Sequence, residues 1–236
     1  MPISNFDVSM AGFLSALQLA DSFFPTGMYA HSHGLEGMVR RGRVSDVGGV
    51  EEFLRNQFSW SVLPSDGVAL LNAHRAAARA DMDEIAAIDR LLVAMKLPSE
   101  LRAVSVQVGR RLLDETAPMV SHDLHAGYKA LVDSRESPGN GAVALGVAAF
   151  TLNIPEEPAL MMFCHSHAIS VLGAAMRLLP LTHTDAQGIR HRLQPLLVDQ
   201  IQEIFEVPWE DMKAFTPELD MASMGHEADD LRMFAS

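Results

Sequence analysis

Apolar residues recur along most of the chain at the 3.6-residue spacing of an α-helix. Clear apolar stripes run through residues 85–95, 101–112 and 193–205, and no alternating pattern predicts a strand. The pattern therefore predicts an all-α fold, a single compact helical domain of about ten helices. We expect these helices near residues 8–20, 32–41, 46–62, 66–80, 82–96, 99–115, 121–133, 140–153, 157–180 and 185–206.

Several residues mark where these helices begin or break. Asp81 followed by Glu84 resembles a capping box, and Asp185 is placed to cap the helix that follows it. Pro195 lies inside the last long stripe, where its missing N–H and its ring should kink or divide the helix. The Pro and Gly residues at 138–141 interrupt the chain, but the helical pattern resumes on both sides, so we place no domain boundary there.

The pattern changes after residue 206. Large apolar side chains continue, but prolines, glycine and aspartates interrupt them without a helical or strand period. Leaving such side chains in water forfeits about 1.5–3 kcal/mol each, so this segment should dock on its own body or on another protein. We therefore predict a helical domain over residues 1–206 and an irregular, partner-binding C-terminal tail over residues 207–236.

Composition and charge narrow the range of partners. The chain has 236 residues, of which 48% are hydrophobic and 20% charged, as in a globular protein. Lys and Arg number 18 against 30 Asp and Glu, which gives a net charge of −12. Because an acidic surface repels phosphate backbones and anionic headgroups, the charge predicts neither nucleic-acid nor membrane binding.

Three features of the sequence bear on the cellular compartment in which the protein is expected to lie. Residues 159–180 come nearest to a membrane span, but polar side chains interrupt them, so we expect a buried helix. The N-terminal residues lack the basic and apolar regions of a secretory signal, which predicts a cytoplasmic protein. Cys164 is the single cysteine, so the chain has no internal disulfide and no cysteine-only zinc site.

Common catalytic motifs do not occur in the sequence. The phosphate-binding loop of nucleotide hydrolases requires a glycine directly before its lysine. None of the three lysines is directly preceded by glycine, so this loop is missing. The segment from His226 to Asp230 places an aspartate where a zinc protease needs its second histidine. A Gly-x-Ser-x-Gly nucleophile elbow is also absent. We therefore expect no enzymatic activity.

The ten histidines leave a metal-binding alternative open. In a helix, His165 and His167 point about 200° apart around the axis and cannot share one ion. Cys164 with His167, or His122 with His125, could do so, because each pair is three residues apart. Two ligands do not complete a site for Ni²⁺ or Zn²⁺. The alternative reading is a set of polar and core histidines, and we expect neither a resident metal nor a cofactor.

The segment 21–37, DSFFPTGMYAHSHGLEG, is the most specific local pattern. Pro25 and Gly27 favour a turn, and Ser32 can cap the helix that follows. Gly34 permits close backbone approach, and Leu35 should point to the core. The segment therefore predicts a connection between two helices.

Two separated motifs resemble one known family. The run LQLADSFFPTGMYAHSHGLEG resembles the N-terminal signature of the urease accessory protein UreF family, and TPELDMASMGHEADDLRMFAS resembles the C-terminus of that family. The segments KLPSELRAVSVQVGRRLL and GAVALGVAAFTLNIP are similar to its middle portions. The resemblance covers nearly the whole chain in the right order, with small departures at Met28 and Met233.

The resemblance implies a non-enzymatic, cytoplasmic, all-α protein that helps to install the nickel centre of urease. Proteins of this family form homodimers and bind the accessory protein UreD, also called UreH. Through that complex they recruit the GTPase UreG, which carries Ni²⁺, to the urease apoprotein. The competing function is a helical, His-rich nickel- or zinc-binding or storage protein.

Within the two motifs we form a hypothesis about where partners bind. The expected partner-binding residues are Tyr29, His31, Ser32 and Glu36, which would face a dimer mate or UreG, and Leu219, Arg232, Phe234 and Ser236 of the tail. The expected structural residues are Pro25, Gly27, Gly34 and Leu35, and the alternative for the whole turn is a purely structural role. We expect the tail to become ordered on UreD, with apolar anchors and a paired arginine. The alternative is that the tail packs permanently on its own helices.

Overall fold

A computed structural model of the chain describes residues 8–28, 31–226 and 233–234. Over these residues the predicted all-α fold is confirmed, because helices follow one another and no strand occurs. The α-helices are α1 (Met10–Ala20), α2 (Leu35–Arg40), α3 (Val47–Gln57), α4 (Val68–Ala78), α5 (Met82–Met95), α6 (Ser99–Thr116), α7 (Asp123–Asp133), α8 (Gly141–Thr151), α9 (Glu156–Leu178), α10 (His183–Ile204) and α11 (Pro217–His226).

The caps show why two of these helices begin where they do. The Asp81 carboxylate accepts from the Glu84 backbone N–H at 3.0 Å, which confirms the predicted start of α5. At α10 the cap is Thr182, and the prediction of Asp185 was wrong by three residues. Thr182 Oγ1 accepts from the Asp185 N–H at 3.1 Å, while the Asp185 carboxylate accepts from the Thr182 N–H at 2.9 Å. Asp185 is therefore the inner partner of a capping box.

A π-helix (Phe58–Gly67) joins α3 to α4, where the sequence predicted a break between two helices. Pro64 lies inside it and has no N–H to donate, so a carbonyl group one turn earlier lacks its helical partner. The tail donates to two carbonyl groups of this stretch: Phe215 N donates to the Trp60 carbonyl oxygen, one turn before Pro64, at 2.7 Å, and Lys213 N donates to the Pro64 carbonyl oxygen at 3.1 Å.

Pro195 does not divide α10, which runs without interruption from residue 183 to 204. The missing N–H of Pro195 leaves the carbonyl oxygen of His191 without its usual helical partner. Both residues are exposed, so water can satisfy that oxygen. This exposure explains why the predicted division does not occur.

The core is centred on α8, which contacts α4, α6, α7 and α9. Small residues let these helices approach closely. A Cβ on Gly146 would lie 2.5 Å from the Leu70 carbonyl oxygen of α4, and a Cβ on Gly109 of α6 would lie 2.2 Å from the Gly139 carbonyl oxygen. These glycines thus allow α8 to pack closely on α4, and α6 to pack closely on the loop before α8.

A fully buried carboxylate holds the loop that precedes α8. Asp89 of α5 accepts hydrogen bonds from the Tyr128 hydroxyl at 2.9 Å, the Gly139 N–H at 2.7 Å and the Asn140 N–H at 2.8 Å. The Ser137 hydroxyl donates to the same carboxylate. Burial and the neighbouring Asp89 charge raise the pKa of Tyr128 well above its usual range. The loop is therefore a fixed part of the core.

The central helix α9 supports the candidate site described below. By length and composition alone it could cross a membrane, but 72% of its most apolar window is buried inside the protein. This finding confirms the predicted buried helix. α9 contacts α1, α2, α3, α8 and α10, so it joins the N-terminal helices to the core.

The tail after α10 is irregular apart from a short 3₁₀ turn (Trp209–Asp211) and α11. The sequence did not predict α11, because its apolar residues have no clear helical period. Its main contacts are with α2 and α6. The tail therefore returns to the N-terminal part of the chain.

Candidate partner-binding site

The segment after α1 forms a compact turn. Phe24 N donates to the Asp21 carbonyl oxygen at 2.9 Å, and Thr26 N donates to the Phe24 carbonyl oxygen at 2.9 Å. Gly27 has a φ of 78°, in the left-handed region that favours glycine. A Cβ at Gly27 would lie 3.0 Å from the Arg111 guanidinium. The predicted turn is present, and its positive φ favours glycine at this position.

Three of the residues expected to bind partners are buried between this turn and α2. His31 is 5% exposed, Glu36 is 4% exposed and Ser32 has no exposed surface. Ser32 Oγ accepts from the Glu36 N–H at 3.4 Å. From α9, Ser170 Oγ donates to the Met28 carbonyl oxygen at 2.7 Å. The hydrogen bond from Ser170 thus fixes the segment on α9.

Helix α11 packs directly on the start of α2. Gly34 has a φ of 85°, and a Cβ there would lie 2.5 Å from Leu219 Cδ1 and 2.7 Å from Ser223 Oγ. A Cβ on Gly37 would lie 2.8 Å from the Ala222 carbonyl oxygen. Only glycine permits this separation, so the close backbone approach expected at Gly34 is present, and α11 is what approaches.

The Glu36 carboxylate binds the backbone near the end of the chain. Its two oxygens accept from the Met233 N–H at 2.9 Å and from the Phe234 N–H at 3.0 Å. The Phe234 ring is buried, and the Arg177 guanidinium of α9 lies 5.6 Å from its centroid. Arg41, which follows α2, donates to a carbonyl oxygen of α11 at 2.7 Å. We call these contacts of the tail with α2 and α9 the tail clasp.

The structure brings most of the predicted residues to one place. The tail clasp and the turn below it contain His31, Ser32, Glu36, Leu219 and Phe234 from the partner-binding set, and Gly27, Gly34 and Leu35 from the structural set. Pro25 lies exposed in the turn. Tyr29, Arg232 and Ser236 lie outside the described residues. The tail packs on its own helices here, while contact of these residues with a partner stays a prediction.

Helix α1 presents an apolar face to solvent that the sequence analysis did not single out. Met10 is 82% exposed, Phe13 and Leu17 are each 54% exposed, and Leu14 is 61% exposed. Their spacing of three and four residues places them on one side of the helix, and we call them the α1 stripe. Phe23, just beyond the helix, is also exposed. Patches of this kind commonly mark interaction sites.

A cavity of about 180 Å³ lies beneath the turn and the tail. Its lining includes Met28 of the turn and Leu219 of α11, together with many apolar residues of α6. Polar groups line another part, where Lys96 Nζ lies 2.8 Å from Asp66 Oδ1. The carboxylate of Asp66 also accepts from Ser65 Oγ at 3.1 Å. The cavity thus combines an apolar wall with a largely buried ion pair.

Two neutral histidines line the same cavity. Gln57 Oε1 accepts from His167 Nε2 at 3.1 Å, and Gln57 Nε2 donates to the His33 carbonyl oxygen at 2.9 Å. The two imidazole rings lie 4.5 Å apart. Burial lowers the pKa of His167 to about 4 and lowers the pKa of His33 well below its usual range. Both rings are therefore uncharged at neutral pH.

Comparison with known proteins decides the family. A family model described as UreF matches residues 44–194. The chain is 32% identical over 226 residues to the urease accessory protein UreF 2 of Brucella suis, which covers 96% of this chain and 93% of the relative. The chain belongs to the UreF family. The resemblance predicted from the motifs is thereby confirmed.

Other relatives extend the match across similar lengths. The urease accessory protein UreF of a Nostoc species is 30% identical over 224 residues, which are 95% of this chain and 96% of the relative. The UreF protein of a Bacillus species is 26% identical over 223 residues. These alignments extend beyond the range of the family model, which ends before the tail. The two motifs of the UreF resemblance are the segments that meet in the tail clasp.

The histidines expected as possible metal pairs serve local structural roles. His122 Nδ1 accepts from a backbone N–H at the start of α7 at 3.2 Å, and His125 Nε2 lies 2.8 Å from Thr116 Oγ1. His165 Nδ1 accepts from Arg190 Nη2 at 2.9 Å, whereas His167 turns inward to the cavity. Within the described parts of the chain, no group of three or more His, Cys, Asp or Glu could hold a metal ion.

Sequence reasoning missed three residues of the site for the same reason. Ser170, Arg177 and Arg41 contact the turn or the tail from distant positions, and no local motif marks them. The α1 stripe had a usable signal, since residues 8–20 contain four large apolar side chains at helical spacing and no charge. That pattern predicts a helix with its large apolar side chains on one face. It does not show whether the core covers that face or the opposite one.

Proposed function

We propose that this chain is a urease accessory protein that acts as a scaffold in nickel insertion. In this proposal it binds UreD, also called UreH, and through that complex recruits the GTPase UreG to the urease apoprotein. It works as a cytoplasmic homodimer and provides contact surface without reacting atoms of its own. Membership of the UreF family and the names of its relatives support the urease role.

The observation that carries the scaffold role is the tail clasp. One side of the tail is buried on α2, through Leu219 and Phe234. The other side is open: Phe215 is 75% exposed and Met221 is 65% exposed. We propose that UreD binds this outer side of the docked tail. The tail clasp then presents the tail in one fixed position, which lowers the entropy cost of binding.

Glu36 gives the most direct test, because its carboxylate holds the end of the tail. In a Glu36→Gln variant the charge is lost and one side-chain oxygen becomes an N–H donor facing a backbone N–H. We expect at least about tenfold weaker capture of purified UreD by the tagged chain, since a buried carboxylate hydrogen bond contributes about 1.5–3 kcal/mol. Glu52→Gln, an exposed position on α3, is the matched control.

Tail deletion and urease activation complete that test. Removing residues 217–236 should abolish UreD capture and the nickel loading of urease in a host deleted for the native protein. If the truncated chain still captures UreD and restores full urease activity, the tail is not the binding element. If the full-length chain captures neither UreD nor UreG, the scaffold proposal itself is wrong.

The turn below the tail clasp is proposed to contribute to UreG recruitment. A double variant, Tyr29→Ala with His31→Ala, should retain the helical circular dichroism spectrum and UreD capture but lose UreG from the complex. If UreG recruitment is unchanged in the double variant, this segment has only a structural role. The assay is a pull-down with UreD and UreG present together.

Nickel titration separates the scaffold from the storage alternative. A scaffold should bind Ni²⁺ weakly and without fixed stoichiometry in isothermal titration calorimetry. Tight uptake of one or more ions per chain, reduced by substituting His122 and His125, would support metal storage instead. The hydrogen bonds of these histidines to the α7 backbone and to Thr116 favour the scaffold.

A further inference from the structure

The cavity beneath the turn and the tail has the size and the lining of a binding site for a small molecule. Its volume of about 180 Å³ is slightly larger than that of an engineered cavity of about 150 Å³ that holds benzene in another protein. The apolar part of the lining includes Val104 and Val108 of α6 and Leu145 of α8. An aromatic ring or a short hydrocarbon chain therefore fits, with room for one small polar group.

Hydrogen bonds fix the tautomers of the two histidines that line the cavity. The Gln57 amide N–H donates to the His33 carbonyl oxygen, so Gln57 Oε1 is an acceptor and His167 Nε2 must carry the hydrogen. The Ser170 hydroxyl donates to the Met28 carbonyl oxygen, so His33 Nε2 must donate to Ser170 Oγ, which lies 3.0 Å away. Because both rings are uncharged, Nδ1 of each ring keeps a free lone pair.

These two Nδ1 atoms determine which polar group a ligand should carry. Within the part of the chain that the structure describes, neither Nδ1 atom has a hydrogen-bond partner. The ring centroids of His33 and His167 lie 4.5 Å apart, so both acceptors belong to one small region, and an NH₂ group has one N–H for each. A metal ion is not the expected occupant, because no group of three or more His, Cys, Asp or Glu among the described residues could hold one.

The ion pair in the lining selects against a charged ligand. Lys96 Nζ lies 2.8 Å from each of the two Asp66 carboxylate oxygens, so these two charges balance each other. A ligand with a charge of its own would add an uncompensated charge to a largely buried site, which is costly. The ligand that suits this lining is therefore neutral.

We propose that this cavity is a binding site for a small, neutral primary amide whose apolar body is about the size of a benzene ring. The amide NH₂ group donates to Nδ1 of His33 and of His167, and the apolar body packs on Val104 and Val108 of α6. This site is separate from the proposed scaffold role and does not depend on it.

A ligand in this cavity contacts both the turn and the tail. The lining includes Met28 of the turn, Ala214 of the tail, and Leu219 and Asp220 of α11. A ligand that binds only when these segments are docked stabilises the docked state by mass action. Occupancy of the cavity therefore strengthens the packing of the tail on the rest of the protein.

The test uses four probes that have nearly the same planar shape and differ in one group. Benzamide carries the amide, acetophenone has a methyl group in place of the NH₂ group, benzoate is the anion and benzamidine is the cation. In isothermal titration calorimetry with the full chain at neutral pH, we expect benzamide to bind one site with a Kd on the order of 0.1–1 mM. Acetophenone should bind at least about tenfold more weakly, because it leaves both acceptors unpaired. The two ions should also bind more weakly than benzamide.

A variant that fills the cavity shows where the probe binds. Val104 is buried and lines the apolar part, so Val104→Phe should occupy the space of the benzamide ring and abolish its binding. Ala103→Phe, exposed on the same helix, is the matched control and should bind benzamide as the parent chain does. Circular dichroism verifies that each variant is folded. If Val104→Phe does not fold, the comparison of benzamide with acetophenone on the parent chain still decides the inference.

Hydrogen exchange measured by mass spectrometry tests the effect on the tail. With benzamide at about ten times its Kd, amide exchange in residues 213–226 should slow by up to about tenfold. Residues 123–133 of α7 do not line the cavity, and their exchange should stay as it is without the probe. Acetophenone at the same concentration should have a smaller effect on the tail.

Each outcome supports or overturns the inference. Absence of saturable benzamide binding by the parent chain would overturn it, and so would equal binding of acetophenone or stronger binding of either ion. Benzamide binding that persists in a folded Val104→Phe chain would place the site elsewhere and also overturn it. Binding without slower exchange in residues 213–226 would overturn the effect on the tail. Capture of UreD by the parent chain is measured without any probe, so the proposed function is tested independently.

Discussion

Helices α8 and α1 are alike in composition but opposite in environment. Each has eleven residues, carries no charge and consists mainly of small and apolar side chains. Eight residues of α8 are buried, whereas α1 buries Gly12 and Leu19 alone. The difference lies in where the large side chains stand. α8 has small residues on all sides and is enclosed by neighbouring helices, whereas α1 has them on one side and leaves Phe13 and Leu14 uncovered.

This comparison shows that apolar composition alone does not decide burial. A helix of Gly, Ala and Val lets neighbouring backbones approach from every side and becomes a centre of packing. A helix that segregates small from large residues can be held by the small face and remain open on the other. Within this protein, α8 is therefore enclosed in the core, whereas α1 keeps one apolar face open to solvent. Substitutions on the two helices should differ in their effect on stability.

The largest effect is expected from Gly146→Val in α8. The added Cβ would lie 2.5 Å from the Leu70 carbonyl oxygen, a backbone atom that cannot move without shifting α4. We expect a loss of roughly 3 kcal/mol or more of unfolding free energy, measured by urea denaturation, or a failure to fold. Gly173→Ala in α9 is the control, because its Cβ would meet nothing within 4 Å. A Gly146→Val chain as stable as the control would remove α8 from the centre of the core.

The next effect concerns the carboxylate that holds the start of α8. Gly139 N–H donates to Asp89 Oδ2 and Asn140 N–H donates to Asp89 Oδ1, so in Asp89→Asn the new amide N–H group faces at least one of these two buried donors. Leaving a buried donor unsatisfied should lower the unfolding free energy by roughly 2–3 kcal/mol. Asp83→Asn, exposed on the same helix, should change it by less than about 0.5 kcal/mol. Equal melting temperatures for the two variants would contradict this role of Asp89.

A smaller effect should follow from pH through α9, against which both α1 and α8 pack. Burial lowers the pKa of His167 to about 4 in the folded chain, whereas the unfolded chain binds its proton near pH 6.5. The unfolded state therefore binds more protons between these values, and stability falls as the pH falls. From pH 7 to pH 5 we expect this one histidine to contribute a loss of about 2 kcal/mol of unfolding free energy.

The control for that pH effect is a histidine outside the core. His167→Gln should reduce the fall in unfolding free energy between pH 7 and pH 5, because the contribution of this titrating group is removed. His183→Gln, exposed at the start of α10, should leave the slope as it is in the parent chain. An unchanged slope in His167→Gln would mean that other groups, such as His33, dominate the acid response.

The sequence predicted most of the helices because their apolar periods are long and their caps are local. It did not predict that residues 58–67 continue as a π-helix, because the Trp60 and Pro64 carbonyl groups of this stretch accept hydrogen bonds from Phe215 and Lys213, which lie far along the chain. Local sequence signals do not reveal hydrogen bonds between such distant segments.

The candidate site was predictable in its parts but not in its assembly. The motif resemblance selected Glu36 and Phe234, yet nothing in either motif states that the carboxylate of one accepts from the backbone of the other. A contact between distant segments depends on the packing of α2, α9 and α11, which local patterns do not encode. For the same reason the apolar spacing of α1 predicts a helix and leaves undecided which of its faces is open.

The smallest effect on stability is expected from the α1 stripe itself. Leu17→Gln changes a side chain that is half exposed in the single chain, so the unfolding free energy should change by less than about 0.5 kcal/mol. The unfolding free energy should be measured at protein concentrations at which the chain is monomeric, because association would otherwise add to the apparent stability. Leu19→Gln on the buried face of the same helix is the control, and it should lose several times more. Similar losses for the two variants would mean that the stripe is already covered in the single chain, and the contrast between α1 and α8 would then be one of degree only.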